Sequence, residues 1–127
     1  MKVAGKSRWA TSKPMSKAEA RAAADAAPVF AALGDRTRLR LLMTLSDGQT
    51  RSIASLSADA RMTRQAVTKH LRVLEDAGLV NSRREGRESR FAYRPEPLAD
   101  AQTFLNSVSA QWDEALGRLK AHLESDA

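Results

Sequence analysis

The chain has 127 residues, of which 43% are hydrophobic and 28% charged, and a formal net charge of +6. This length and composition predict one globular domain and exclude a largely disordered protein. The absence of cysteine excludes disulfides and thiolate metal sites. No apolar run approaches the ~18 residues of a membrane helix, and no apolar signal segment follows the basic N-terminus, so we predict a cytoplasmic protein without membrane contact.

The positive charge is concentrated in two segments of the chain. Residues 1–17 carry five Lys or Arg and no acid, and residues 61–90 carry eight against four acids. Residues 95–127 reverse the sign, with six acids against two basic residues. A basic excess confined to such segments favours an anionic partner.

The first elements are a tail and an Ala-rich helix. Residues 1–15 have no periodicity and are predicted to be a flexible basic tail, while residues 16–127 form the folded domain. Ser16 and Glu19 have the spacing of a capping box and begin a helix that is expected to end near Ala27. Pro28 is expected to open a separate turn after that helix.

Three further helices follow, each with a start signal or an apolar stripe. Asp35 is a predicted N-cap for a helix over 36–46, and Thr63 for a helix over 64–77. A short helix over 52–58 lies between them. The inward positions are spaced three to four residues apart: Leu39, Leu42, Met43, Ile53, Leu56, Val67, Leu71 and Leu74.

The pattern then changes to that of strands and returns to a helix. Segments 79–84 and 89–94 flank a charged turn that contains Gly86, which predicts a β-hairpin. Pro95 precedes a last helix, predicted over 98–124. An apolar stripe on this helix is too large for one small core to cover, and it predicts a homodimer through five residues: Leu105, Val108, Trp112, Leu116 and Leu119.

This order of elements predicts an α+β, mainly helical, winged helix-turn-helix that binds double-stranded DNA. The second helix of such a pair presents its N-terminal residues to the major groove, and the basic hairpin forms a wing along the backbone. Arg and Gln pair with guanine and adenine, and Thr and Lys suit bases or phosphates. The predicted contacts are Thr63, Arg64, Gln65, Thr68, Lys69 and Arg72 on the helix, and Arg83, Arg84, Arg87 and Arg90 on the wing.

Three motifs resemble the ArsR family of repressors. They are ALGDRTRLRLL from Ala32 to Leu42, TRQAVTKHLRVL from Thr63 to Leu74, and AGLV from Ala77 to Val80. The resemblance covers about residues 28–124. It implies a winged-helix dimer, paired through its first and last helices, that represses transcription from a palindromic operator.

The chain departs from this family at the metal-binding positions. Residues 52–58 read SIASLSA and contain no cysteine, and the last helix has His122 as its one histidine, with Asp113 followed by Glu114 and Ala115. We therefore expect no metal and no cofactor, and an effector, if there is one, that is a small organic molecule or a partner protein. Arg61 stands in the helix-turn-helix turn where glycine is common.

Other functions fit the sequence less well. An enzyme would need a nucleophile, base or metal constellation, and none is present, since His70 has no Asp, Cys or second His near it in the motif. A winged helix used as a protein–protein interaction module would present an apolar or mixed face rather than a basic one. A MarR-type regulator is disfavoured by the short chain and single C-terminal helix. DNA contact by the tail stays open.

Overall fold

The computed structural model describes residues 15–125, which form five helices and three strands. The predicted tail therefore lies outside the described residues, apart from the exposed Met15. Helix α1 (Lys17–Leu33) begins at the predicted capping box. The expected break at Pro28 is wrong, because α1 continues through it. Both Pro28 and Ala24, whose carbonyl loses its N–H donor, are exposed, so water can bind the freed oxygen.

Three helices and a short strand follow α1. Helix α2 (Arg36–Leu45) begins at Asp35, whose carboxylate accepts a 2.9 Å hydrogen bond from the backbone N–H of Arg38. Strand β1 (Arg51–Ser52) leads directly into α3 (Ile53–Ala60), which is followed by α4 (Arg64–Asp76). The predicted helix bounds differ from these by one or two residues at each end.

The hairpin consists of β2 (Val80–Glu85) and β3 (Glu88–Tyr93), with Gly86 at a φ of +63° in its turn. The sheet has a third strand that the sequence did not predict, since β1 pairs with β3 and the strand order is β1-β3-β2. Two residues are too few to show the alternation by which a strand is recognised. β1 joins the base of the hairpin to the start of α3.

The last helix, α5 (Glu96–Ser125), packs against α1 in the opposite direction. Phe104 contacts Phe30 near the end of α1, with ring centroids 6.4 Å apart. The amide Nε2 of Gln111 donates to Glu19 Oε2 near the start of α1, at 2.9 Å. α1 therefore covers α5 as far as Gln111.

One hydrophobic core connects all five helices with the sheet. Six of its side chains are fully inaccessible: Leu45, Val67, Leu71 and Leu74 of the helices, Leu56 of α3 at 1%, and Leu79 at the start of the hairpin. The whole is a winged helix-turn-helix of the α+β class, as predicted. Among residues 15–125, no helix is both long enough and apolar enough to cross a membrane.

Candidate nucleic-acid interface

The turn between α3 and α4 is fixed by contacts on both sides of Arg61. The backbone N–H of Met62 donates to the Ser57 carbonyl at 3.1 Å, and the Ser57 hydroxyl donates to the Met62 carbonyl. Arg61 ends α3 in the left-handed conformation, with φ 55° and ψ 45°. This is the conformation that glycine adopts without strain, which agrees with the expectation at this position.

Helix α4 is held by its cap and by its apolar side. The Thr63 hydroxyl oxygen accepts a 3.1 Å hydrogen bond from the backbone N–H of Ala66. Val67, Leu71 and Leu74 are completely buried against the core. Because these three residues fix one side of α4, the opposite side is turned to solvent along its whole length.

The solvent side of α4 carries the predicted base-reading residues. Arg64, Gln65, Lys69 and Arg72 are exposed, and within residues 15–125 their side chains make no hydrogen bond or ion pair. Thr68 differs, because it is half-buried and its hydroxyl donates to the Arg64 carbonyl at 2.6 Å. Four of the six predicted residues are thus unengaged polar groups, whereas Thr63 and Thr68 already serve the helix.

The four predicted wing arginines fall into two pairs. Arg84 and Arg87 are exposed and make no side-chain bond to any other described residue. Arg83 forms a 2.7 Å ion pair with Glu85. Arg90 donates to Thr50, at 3.1 Å from Nε to the hydroxyl and 2.9 Å from Nη2 to the carbonyl. Arg90 therefore holds the base of the hairpin to the segment before β1.

A contact that the sequence did not reveal joins the wing to α4. The Ser82 hydroxyl on β2 donates to Glu75 Oε2 on the last turn of α4, at 2.7 Å. Neither residue type signals such a bond, since both are common at surfaces and lie seven positions apart. The bond fixes where the wing begins relative to the recognition helix.

The residues predicted to form the dimer lie along the outer side of α5. Leu105 is 49% exposed, Trp112 64%, Leu116 56% and Leu119 52%, while Val108 is half-buried. Beyond Gln111, α5 extends past α1, and no other described element covers it. An apolar stripe of this size is unusual on a monomer and marks an interaction surface.

The described residues also bear on metal binding. Among residues 15–125, no three His, Cys, Asp or Glu side chains converge as metal ligands would. His122 lies in the last turn of α5, and His70 lies on α4.

Comparison with known proteins gives a consistent picture. The family model for the bacterial regulatory protein, arsR family, matches residues 35–82. The HTH-type transcriptional regulator YuzN of Bacillus subtilis, itself uncharacterized, is 43% identical over 76 residues, covering 55% of this chain and 83% of YuzN. The probable mercury resistance operon repressor of Streptomyces lividans is 33% identical over 87 residues, covering 68% of this chain and 69% of that repressor.

Two solved structures show the same fold. An ArsR-like transcriptional regulator from Rhodococcus sp. RHA1 superposes with a TM-score of 0.68 at 38% identity, covering 77% of this chain and 92% of that one. A homodimeric winged helix-turn-helix DNA-binding domain from Mycobacterium bovis, a possible ArsR-family regulator, superposes with a TM-score of 0.58 at 28% identity, covering 78% and 90%.

Proposed function

Because the chain belongs to the arsR family of bacterial regulatory proteins, we propose that it is a homodimeric repressor of transcription that binds a palindromic DNA operator. It is a transcriptional regulator with a winged helix-turn-helix fold, and not an enzyme. One observation carries the proposal: the solvent side of α4 presents three cations and a Gln with no partner in the described chain. Unpaired cations in such a row suit the phosphates and base edges of a major groove.

In this proposal, α4 reads bases. Arg64 and Gln65 lie in its first turn, where side chains of a recognition helix reach base edges. Arg pairs with guanine through two donors, and Gln pairs with adenine through a donor and an acceptor. Lys69 and Arg72 lie further along the helix and bind phosphates on either side, while Thr63 and Thr68 contribute through the shape of the helix start.

The wing supplies contacts to the DNA backbone. Arg84 and Arg87 are the cations it has free for phosphates, because Arg83 is paired with Glu85 and Arg90 is bonded to Thr50. Arg87 stands in the turn itself and extends furthest from the core. A wing-tip arginine also suits a narrow, A·T-rich minor groove.

The second copy of the chain covers the stripe on α5. Trp112, Leu116 and Leu119 are more than half exposed and extend past the end of α1. Two-fold pairing of this stripe brings together two α4 helices, which reach half-sites one DNA turn, or ~34 Å, apart. The homodimeric neighbour from Mycobacterium bovis supports this arrangement.

We further propose that the repressor does not respond to metal. Zinc and related ions need converging Cys, His or acidic ligands. The chain has no cysteine, and its two histidines lie on α4 and at the end of α5. In this respect the protein differs from its relative named for mercury resistance. A small organic molecule or a partner protein is the expected effector.

Selection of bound fragments from genomic DNA tests this proposal. Purified protein is mixed with sheared DNA from the source organism, and the retained fragments are sequenced and then measured individually against scrambled versions. We expect a shared palindromic element bound at least 10³-fold more tightly than scrambled DNA at physiological salt. Retention of no common element, together with capture of a protein instead, would establish the interaction module and contradict the proposal.

A further inference from the structure

Asp35 and Arg38 of α2 meet His70 of α4 where these helices pack together. The Arg38 guanidinium first joins α2 to the end of α1, since its Nε donates to the Ala32 carbonyl at 2.7 Å and its Nη2 to the Ala31 carbonyl at 3.4 Å. Carbonyls in the last turn of a helix lack intrahelical donors, so Arg38 supplies them. The same guanidinium then approaches α4.

The His70 ring lies between two groups of opposite charge. Its Nδ1 is 3.5 Å from Arg38 Nη1 and 3.8 Å from Asp35 Oδ2. A guanidinium only donates hydrogen bonds and a carboxylate only accepts them. The neutral ring therefore accepts from Arg38 through Nδ1. The protonated ring instead donates from Nδ1 to Asp35 and is repelled by Arg38.

No other charge competes for this ring within residues 15–125. The charged groups that face it both belong to α2, and α1 contributes only backbone carbonyls through Arg38. Ala66, Val67, Val73 and Leu74, its neighbours one turn away on α4, have no titratable group. No side chain of α3 or of the hairpin forms an ion pair or hydrogen bond with His70.

His70 also stands on the wrong side of α4 to touch DNA. At about 100° per residue, it lies nearly opposite the row formed by Gln65, Thr68 and Arg72. Its side chain is only 23% exposed. Any effect of His70 on DNA binding must therefore act through the placement of α4.

We propose that His70 is a positioning residue: its contact with Arg38 and Asp35 sets how the recognition helix is held on α1 and α2, and its protonation weakens operator binding. This inference rests on the proposed role of α4 in reading DNA. Loss of the Arg38 contact releases α4 from the group that also binds the end of α1. A recognition helix must keep its side chains in register with base edges, so a small shift reduces the preference for the operator over other DNA.

The test uses the palindromic fragment obtained from the genomic selection and a scrambled version of it. Affinities of the full-length protein for both DNAs are measured by fluorescence anisotropy from pH 8.0 to pH 5.5 at constant ionic strength, the range in which histidines change charge. We expect the wild-type preference for the operator to fall at least about threefold across this range. Using the ratio of the two affinities removes the general gain in DNA attraction that any added proton brings.

Three variants assign the effect. His70→Asn keeps a polar acceptor near Nδ1 but cannot become charged, so its preference should match wild type within about twofold at pH 8.0 and stay constant with pH. His70→Leu removes the acceptor, and should lower the preference at every pH. His122→Asn removes the other histidine of the chain and should keep the wild-type profile. Circular dichroism and light scattering establish that each variant is folded and has the wild-type oligomeric state.

The outcomes separate this inference from the function on which it rests. A wild-type preference that does not change with pH, or a His70→Asn profile that follows wild type, would overturn the positioning role while the operator preference remains. No preference for the fragment at any pH would instead contradict the proposed function, and the role of His70 with it.

Discussion

Arg61 carries a side chain at a backbone conformation that favours glycine. Its φ of 55° and ψ of 45° place it in the left-handed region, where a Cβ atom is strained by roughly 1 kcal/mol. Replacing Arg61 by Gly should therefore raise the free energy of unfolding by about 0.5–1 kcal/mol, measured by urea denaturation. Arg61→Ala is the matched control, because it removes the same charge but keeps Cβ. Equal stability of the two variants would show that the charge, and not the backbone, governs this position.

Asp35 gives the fold a dependence on acid pH. The pKa of its carboxyl is lowered from 3.8, chiefly by the hydrogen bond from the backbone N–H of Arg38; partial desolvation opposes this, and the charges of Arg38 and His70 lower the pKa further. A lowered pKa means that the ionised group stabilises the fold above the unfolded value, and that this stabilisation is lost as pH falls through the folded value. It should therefore be complete at pH 5–7 and decline below pH 3.8.

Asp35→Asn tests this dependence because asparagine keeps a capping oxygen but has no charge. We expect the variant to be less stable than wild type at pH 7, and the difference to shrink as the pH falls from 4 to 3, in urea unfolding at fixed ionic strength. Asp59→Asn, at an exposed carboxylate of α3 without an ion pair, is the control. A difference that stays constant down to pH 3 would contradict the assignment.

At this scale the sequence predicts caps well and side-chain partners poorly. Ser16, Asp35 and Thr63 were identified because a cap acts on the N–H groups two or three residues later, within the reach of local sequence. The bond from Arg90 to Thr50 spans 40 positions and depends on the pairing of β1 with β3. Nothing in the order of residues distinguished Arg90 from Arg84, although only Arg84 is free of such contacts.

Among the elements, α4 and the wing should differ in what they read. Arg64→Ala and Gln65→Ala should each cost about 1–3 kcal/mol on the operator and relax the preference at particular base pairs, because base edges differ between sequences. Arg87→Ala should weaken binding to operator and scrambled DNA alike and lower the salt slope by about one, because phosphates are the same everywhere. Affinities on both DNAs across a salt series measure these effects.

Arg83→Ala is the matched control for the wing. Its guanidinium is already paired with Glu85, so its loss should reduce DNA binding less than the loss of Arg87. Equal losses on operator and scrambled DNA for Arg64→Ala and Gln65→Ala would mean that another element reads the bases. A loss confined to A·T-rich sites for Arg87→Ala would instead place the wing tip in the minor groove.

The elements themselves followed from periodicity where they were long enough to show it. Helix α4 and the hairpin agree with the predicted bounds to within one or two residues, since each has an apolar side facing one core. The break expected at Pro28 did not occur, because proline forbids a helix interior only where the freed carbonyl cannot reach water. That condition depends on which side of α1 is buried, which local sequence does not state.

For the whole molecule, the stripe on α5 separates what one chain covers from what a second chain must cover. Phe104 and Trp112 both lie at helical spacing in the sequence, yet Phe104 packs on Phe30 of its own chain while Trp112 is 64% exposed. The difference arises because α1 covers α5 only as far as Gln111. Sequence periodicity identifies an apolar side of a helix but not the molecule that packs against it.

Leu116→Glu should therefore separate the dimer into monomers. Leu116 is 56% exposed, so a charge there costs one folded chain little, whereas a two-fold interface would bring two such charges together in an apolar setting. Ala121→Glu adds the same charge on the opposite side of α5, about 180° away, and should leave the dimer intact. Light scattering should give twice the 13.9 kDa of one chain for wild type and Ala121→Glu, and one chain mass for Leu116→Glu.

Loss of the dimer should carry a loss of operator binding with it. A monomer engages one half-site, so Leu116→Glu should bind the palindrome no more tightly than it binds a single half-site, whereas wild type and Ala121→Glu should bind the full palindrome at least 10²-fold more tightly than one half-site. Helical content and the melting transition of the core are compared at the same time, since α1 to α4 are packed within one chain. A wild-type protein that is monomeric at micromolar concentration yet binds the whole palindrome would show that the stripe on α5 has another partner.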